Sequence, residues 1–267
     1  MDTKVKSCRW LIILIIALLL AYPLGQLGYR AYRYLHFYLT DPSEAEQTIM
    51  AYARDNGIDY SEYPQSLIAL LERNPETEAF VLQYPQRKDE TPVIDLTEYC
   101  GSDRVPLFLQ WDPRWGYQPY GDDITAITGC GPVCLSMAAF YLTEDAAYSP
   151  DKMIRFAQDN GYYSSGNGSS WTLISKGGVQ LGFDVTEIPL VESRITKNLE
   201  VGNLIICVMG PGDFTTTGHY IVMTGYIDGM IQINDPNSIE NSNKLWSYAQ
   251  IQDQIRNLWV IRKLENA

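Results

Sequence analysis

Residues 124–143 read ITAITGCGPVCLSMAAFYLT, a short polar segment followed by a long apolar run. The run from Gly131 onward is apolar on nearly every face, which predicts a buried helix, and Pro132 suits the first turn of such a helix. Cys130 then lies at the helix N-terminus, where unpaired backbone N–H groups and the macrodipole favour an anion and lower the pKa of a thiol. The pattern predicts a reactive cysteine, although a structural thiol fits the same position.

The composition is that of a folded protein. Of the 267 residues, 46% are hydrophobic and 12% are aromatic, which excludes a disordered chain. The 32 acidic and 20 basic residues give a net charge of -12, whereas phosphate recognition needs clustered positive charge. The sequence also lacks a G-x-x-x-x-G-K-[ST] phosphate loop. We therefore expect no nucleic acid, nucleotide or other cofactor as a partner.

The first 33 residues have the pattern of a membrane anchor. Three basic residues precede the uncharged run Trp10–Tyr29, which is long enough to cross a bilayer as a helix. A cleavable signal peptide is the alternative, but the best cleavage site, after Ala21, has Leu19 where a small residue is expected. The excess of basic residues before the run places the N-terminus in the cytoplasm. We expect a single-pass protein of the cell membrane whose main domain is extracytoplasmic.

The remainder of the chain divides into two parts by its pattern. Residues 34–100 are acidic, and Ser43 and Glu46 have the spacing of a capping box at the start of a helix. This part of the chain predicts a helical stalk or N-terminal elaboration. Residues 101–267 predict helices first and a mostly antiparallel sheet afterward, with Asp228-Gly229 as a hairpin turn. This order is typical of an α+β fold. The predicted helices are the Cys130 helix, one that begins at Pro150 and one near Trp171–Leu181; the predicted strands lie in FDVTEI, NLIICVMG, HYIVMTGYI, MIQINDP and NLWVIRK.

A cysteine nucleophile needs a base, and the chain has two histidines. His36 is adjacent to the membrane segment, whereas His219 begins a predicted strand after the glycine-rich segment MGPGDFTTTG. His219 is therefore the candidate base. A tetrahedral intermediate also needs hydrogen-bond donors; the backbone N–H of Cys130 and the side-chain amide of Gln110 are candidates.

Asp235 is the candidate that orients the imidazole ring. With the turn at Asp228-Gly229, Asp235 opposes Val222 and faces away from His219, but a single β-bulge brings it to the same face. Two alternatives remain open. Asn234 or Asn237 can take the orienting role, and Asp235 can be an ordinary turn residue.

The other cysteines have simpler interpretations. Cys134 lies within the apolar helix and Cys207 in an apolar strand, so both are expected in the core, with a disulfide as the alternative in an oxidising compartment. A zinc site is disfavoured, because the exported part has one histidine and no CxxC pair. We expect no metal.

Four segments carry a family resemblance in this order: VPLFLQWDPRWGYQPYG, TGCGPVCLSMAAFYL, GDFTTTGHYIVMTGY and INDPNS. Together they resemble the bacteriocin-processing-peptidase-like branch of the papain-like cysteine peptidases. The resemblance implies a papain-like fold over residues 104–262. It also implies a nucleophile, a base, an orienting residue and an oxyanion donor, which are respectively Cys130, His219, Asp235 and Gln110.

The chain departs from this family in two respects. Val133 stands where relatives usually have a small polar residue. The best-known members sit on ATP-driven exporters and cut leader peptides after paired glycines, but this sequence has no transporter region, so that substrate is not carried over.

These observations predict a membrane-anchored, extracytoplasmic cysteine peptidase that hydrolyses a peptide or protein substrate through an acyl-thioester. Two alternatives remain. The same intermediate can be passed to an amine, which makes the protein an acyltransferase or a cell-wall amide enzyme. A catalytically inactive module can instead bind peptide or wall polymer through aromatic side chains, namely Trp111, Trp115, Tyr117, Tyr120 and Trp171.

Overall fold

The computed structural model describes residue 28 and the ranges 41–166 and 168–264. The predicted membrane segment, Trp10–Tyr29, lies outside the described residues apart from Gly28. No helix among the described residues has both the length and the apolar character that a bilayer span requires.

The chain divides into two compact units, Met1–Glu72 and Arg73–Ala267. In the first unit the predicted capping box is formed: the Ser43 hydroxyl accepts from the Glu46 N–H at 3.2 Å, and the Glu46 carboxylate accepts from the Ser43 N–H at 3.1 Å. The second unit contains all four candidate site residues. The domain boundaries predicted after residues 33 and 100 stay predictions.

The two longest helices of the described residues are Glu44–Asn56, with 13 residues, and Cys130–Thr143, with 14. In chain order the helices are α1 Glu44–Asn56, α2 Gln65–Arg73, α3 Glu78–Leu82, α4 Tyr84–Arg87, α5 Thr125–Thr128, α6 Cys130–Thr143, α7 Pro150–Asp159, α8 Gly178–Gln180, α9 Glu192–Glu200, α10 Ile239–Ser242 and α11 Tyr248–Ile251. Single turns of 3-10 helix occupy Tyr60–Glu62, Pro75–Thr77, Thr97–Tyr99, Ala146–Tyr148 and Gln252–Gln254, and a π-helical turn occupies Leu173–Gly177.

The strands form one large sheet and two small two-stranded pairs. They are β1 Pro119–Tyr120, β2 Asp123–Ile124, β3 Tyr163–Ser164, β4 Gly168–Ser169, β5 Phe183–Glu187, β6 Leu204–Met209, β7 His219–Ile227, β8 Met230–Asn234, β9 Leu245–Trp246 and β10 Ile255–Lys263. The large sheet has the order β5-β10-β6-β7-β8-β9, and every pair in it is antiparallel. Its five longer strands are those predicted, which confirms the α+β fold class; β9 has only two residues, too few for a periodic signal.

The helix α6 lies against the centre of the large sheet and contacts β6, β7 and β10. Its residues from Gly131 to Phe140 are all buried, as the apolar pattern predicts. The alternating side chains of β6 enter two cores: Ile206 and Val208 face the α6 side, whereas Ile205 and Cys207 face the side of α9. Because both faces of the sheet are covered, its central strand is apolar at every position.

The segment predicted as a helix at Trp171–Leu181 is helical in a different form. A π-helical turn is followed by the short α8. Two adjacent glycines allow neighbours to pack tightly there: a Cβ on Gly177 would lie 3.2 Å from the Tyr162 ring, and a Cβ on Gly178 would lie 2.8 Å from Val185. The glycine pair weakens a regular helix while permitting this close approach.

Candidate active site

Cys130 is the first residue of α6, as predicted from its sequence context. Gly129 is the N-cap and provides no side-chain hydrogen bond to the first turn, so backbone N–H groups at this end lack the usual side-chain partner. Cys130 is partly exposed, whereas Cys134, one turn further along, is fully buried. Of these two cysteines on α6, only Cys130 has surface exposed to solvent.

His219 is the first residue of β7 and pairs with Met209 of β6. Its side chain is buried, with 7% of the residue exposed. The ring Nε2 lies 2.7 Å from Asp235 Oδ1, and the ring is close enough to Cys130 for the two to interact electrostatically. Since Nε2 is engaged by Asp235, Nδ1 is the ring nitrogen left for the sulfur.

A β-bulge brings Asp235 to His219. Val222 pairs with Asn234 and Gly225 with Gln232, so Thr224 is the extra residue of β7. The shifted register places Asp235 on the same side of the hairpin as His219, as the single-bulge hypothesis predicts. This β-bulge is therefore the element that brings the two residues together.

Asp235 is fully buried and is held by donors from its own loop. Its Oδ1 accepts from the Asn237 N–H at 2.8 Å, and its Oδ2 accepts from Asn241 Nδ2 at 2.9 Å. Asn241 was not singled out by sequence reasoning; the Ser238–Asn241 spacing, which forms a side-chain cap here, is a signal for the short helix but not for this contact.

The electrostatics of His219 favour the imidazolium. Burial lowers the pKa of His219, but the charge and hydrogen bond of Asp235, together with the nearby Cys130, raise it by more, so the pKa rises from 6.5 to about 10. The carboxylate is thus the main partner of the cation. A cation beside the sulfur stabilises the thiolate, the nucleophilic form of cysteine.

Gln110 lies in the same region and is also buried, with 4% exposed. Its backbone N–H donates to the Pro236 carbonyl at 2.7 Å, which attaches it to the loop that carries Asp235. Its Nε2 donates to the Ala126 carbonyl at 2.6 Å, and its Oε1 has no hydrogen-bond partner among the described residues. One of the two Nε2 protons is therefore used by Ala126, which leaves the second for a ligand.

The two alternative orienting residues have other contacts. The Asn234 side chain donates to the carbonyls of Val105 and Pro106, at 3.1 and 3.0 Å. Asn237 contacts Asp235 through its backbone N–H. Neither amide side chain is placed on the imidazole by a hydrogen bond among the described residues.

The loop before His219 is clamped by Gln254, which sequence reasoning missed. Gln254 Oε1 accepts from the Asp213 N–H at 2.7 Å, its Nε2 donates to the Asp213 carboxylate at 2.6 Å, and its carbonyl accepts from the Gly210 N–H at 2.7 Å. Gly212 approaches so closely that a Cβ would lie 2.1 Å from Gln254 Oε1. These contacts fix the path by which the glycine-rich loop reaches His219.

Most of the aromatic side chains considered for polymer binding have structural roles. Trp115, Tyr117 and Tyr120 are buried, and Trp111 donates from Nε1 to the Asn237 carbonyl at 3.0 Å. Trp171 is 48% exposed and contacts Trp259 edge to face. An extended aromatic platform is therefore not formed by these five residues.

Cys134 and Cys207 are core residues, as predicted from their positions. Both are fully buried and unpaired, and burial raises the pKa of each thiol. Within the described ranges, no three His, Cys, Asp or Glu side chains come together in a group suited to a metal ion.

Comparisons with known proteins place the chain in a family. Among solved structures it is similar to the peptidase domain of Streptococcus ComA, described as a bi-functional ABC transporter involved in a quorum sensing pathway (17% identity, 51% of this chain and 93% of that chain, TM-score 0.40). It is also similar to a putative C39-like peptidase from Bacillus anthracis (15% identity, 61% and 96%, TM-score 0.36). No curated protein matches the sequence. The model of the Peptidase_C39 like family matches residues 102–264, and the chain therefore belongs to that family.

Proposed function

We propose that the protein is a cysteine peptidase of papain-like plan in which Cys130, His219 and Asp235 form the catalytic triad. The observation that supports this proposal most directly is the buried His219–Asp235 pair, with Nε2 and Oδ1 2.7 Å apart and the imidazole ring in electrostatic contact with Cys130. Membership of a peptidase family supports the same chemistry. The substrate is a peptide or protein amide.

The first half of the reaction forms an acyl-enzyme. His219 Nδ1 takes the proton of Cys130, and the sulfur forms a bond to the carbonyl carbon of the substrate. The C–N bond then breaks as the imidazolium returns its proton to the leaving amine. Asp235 keeps Nε2–H oriented and stabilises the imidazolium, without itself taking a proton.

The second half releases the acid product. His219 removes a proton from water as its oxygen attacks the thioester, and the C–S bond then breaks as the imidazolium returns that proton to the sulfur of Cys130. In both halves the oxyanion is held by the Cys130 N–H and by the Nε2 proton of Gln110 that Ala126 does not use.

The test combines thiol reactivity with hydrolysis. Iodoacetamide alkylation of Cys130 is followed against pH in a protein starting at Thr40, with and without His219→Ala, and hydrolysis of a peptide library is followed with Cys130→Ala. We expect rapid alkylation below about pH 7 that His219→Ala abolishes, and no hydrolysis by Cys130→Ala.

Cys100, an exposed free cysteine, supplies the matched control, because Cys100→Ser removes a thiol that has no part in the mechanism. Full hydrolysis by Cys130→Ala, or alkylation of Cys130 that rises only near the ordinary thiol pKa of about 8.5, would contradict the proposal.

We also propose that residues 1–33 anchor the protein in the cell membrane with the peptidase domain outside the cytoplasm, on the basis of the charge and apolar pattern of that segment. Cys100 is a built-in reporter of this orientation. In a Cys130→Ser background, a membrane-impermeant maleimide should label Cys100 in intact, reduced cells, and the protein should remain with membranes until detergent is added. Labelling only after lysis would overturn the proposed orientation.

A further inference from the structure

Asp235 begins a compact loop, residues 235–242, whose conformation determines where the carboxylate lies. Within this Asp235 loop, the Asn237 N–H and the Asn241 side chain donate to the two carboxylate oxygens, and the Asp235 N–H donates to the Ser242 hydroxyl at 2.9 Å. A displacement of the loop therefore displaces the acceptor of the imidazole proton.

A residue far upstream holds the central peptide of this loop. Asn74 Nδ2 donates to the Asn237 carbonyl at 2.5 Å, and Asn74 is 8% exposed. The backbone of Asn237 is thus held at both polar groups: its carbonyl accepts from Asn74 and from Trp111, and its N–H donates to Asp235. A hydrogen-bonded series runs from Asn74 through Asn237 and Asp235 to His219.

Glu76 holds the second half of the same loop. Its two carboxylate oxygens accept from the backbone N–H groups of Ile239 and Glu240, each at 2.8 Å. These groups open the short helix α10, where a carboxylate satisfies donors that have no intrahelical partner. Asn74 and Glu76 therefore attach to the loop on either side of Ser238.

The upstream segment is itself firmly packed. Thr77 is fully buried and donates to the Asn74 carbonyl at 2.7 Å. Phe80 is stacked on Tyr117, with ring centroids 4.2 Å apart and planes at 11°, and the Tyr117 hydroxyl donates to the Phe80 carbonyl at 2.8 Å. A segment packed in this way can restrain the loop it contacts.

We propose that Asn74 and Glu76 are positioning residues of the catalytic centre, which hold the Asp235 loop so that Asp235 stays on His219. The inference rests on the proposed function, because it assigns a role in the Cys130–His219–Asp235 triad. Both residues precede the region that the family model matches, residues 102–264. The catalytic centre of this protein therefore extends into a segment that the family pattern does not include.

The experiment measures Cys130 alkylation by iodoacetamide against pH, because this readout requires no peptide substrate. The variants are Asn74→Ser, which keeps a capping oxygen for the Glu76 N–H but is too short to reach Asn237, and Glu76→Gln, which removes the charge. Glu78→Gln is the matched control, since Glu78 is exposed in the same segment and makes the same charge change. Thermal unfolding of each variant is recorded alongside.

We expect both positioning variants to slow alkylation at pH 6.5 roughly tenfold, as loss of a hydrogen bond to a charged or buried group typically does. Their rate-against-pH curves should also move to higher pH, while Glu78→Gln matches the wild type. The shift of the rate-against-pH curve is the decisive readout. A purely structural role would lower the melting temperature and leave this curve where it is in the wild type.

Two other results would contradict either the proposed function or the positioning role. If wild-type Cys130 is unreactive at pH 6.5, the proposed function fails. If wild-type Cys130 is reactive and both positioning variants behave as Glu78→Gln does, or lose thermal stability with an unshifted curve, the positioning role is overturned while the proposed function stands.

Discussion

At the scale of single residues, the proposed catalytic triad depends on one buried carboxylate, that of Asp235. Asp235 is fully buried, and its charge raises the pKa of His219 against the effect of burial. A buried carboxylate is tolerable because three donors satisfy it: His219 Nε2, the Asn237 N–H and Asn241 Nδ2. The same three contacts fix its position, so charge and orientation are supplied by one side chain.

Asp235→Asn separates these two contributions. The amide keeps an acceptor for Nε2–H but removes the charge that raises the pKa of His219, so the imidazolium is lost at lower pH. We expect the alkaline limb of the pH dependence of hydrolysis to move to lower pH and the rate at neutral pH to fall roughly 10²-fold.

The control for Asp235→Asn is Asp228→Asn. Asp228 is exposed at the hairpin tip with a φ of 51°, a conformation that asparagine adopts as readily. An unchanged alkaline limb in Asp235→Asn would contradict the role given to the charge.

At the scale of elements, the site is assembled where the start of α6 meets the open end of the β7–β8 hairpin. Gly131 allows this start to approach β4: a Cβ there would lie 2.6 Å from the Ser169 hydroxyl. Ser169 is in turn fixed by the hydroxyls of Tyr120 and Tyr220, at 2.8 and 3.2 Å. The proposed nucleophile therefore lies at a tightly packed helix end, and its proposed base lies on a strand whose register a bulge has shifted.

Gly131→Ala tests the packing at the helix start. Because Ser169 has little freedom to move, we expect the added methyl group to cost about 1–3 kcal/mol of unfolding free energy, measured by urea denaturation, and to slow alkylation of Cys130. Gly218→Ala is the control, since a Cβ at Gly218 meets nothing within 4 Å. Equal stability of the two variants would refute the tight approach.

Gln254→Ala tests the loop that leads into β7. The change removes the side-chain bonds to the Asp213 N–H and carboxylate, so we expect a loss of about 1–3 kcal/mol in urea denaturation and slower hydrolysis. Gln252→Ala is the control, because Gln252 lies in the same 3-10 turn and is less buried than Gln254. Unaltered hydrolysis in Gln254→Ala would mean that the loop does not need the clamp.

At the scale of the whole molecule, the buried His219–Asp235 pair links folding to protonation. The folded-state pKa of His219 is raised to about 10, so the folded protein binds a proton that the unfolded chain releases near pH 6.5. The stabilisation of the folded protein by this proton is complete below the pKa of His219 in the unfolded chain. It is lost as the pH rises through the pKa of His219 in the folded protein.

Unfolding free energies measured in urea at about pH 6 and pH 10.5 test this linkage. We expect the wild type to lose more stability over this interval than His219→Gln, which cannot take up the proton. An equal loss in both proteins would show that the pair contributes nothing to the pH dependence of folding.

The sequence by itself predicted the longer elements and the residues of the proposed chemistry. Apolar runs and alternation locate α6 and the five longer strands, because local periodicity reflects which face of an element is buried. Elimination among two histidines selects His219, and the turn at Asp228-Gly229 with one bulge brings Asp235 into range. These signals are local, so a single sequence carries them.

Only the tertiary structure decided which residues support that chemistry. Asn74 and Asn237 are 163 residues apart, and Asp213 and Gln254 are 41 apart; no periodicity connects such pairs. Polar side chains in turns and short helices have many local uses. Their partners depend on how packed elements bring distant backbone groups together, which is decided by the three-dimensional packing of the core and not by the pattern within any one segment.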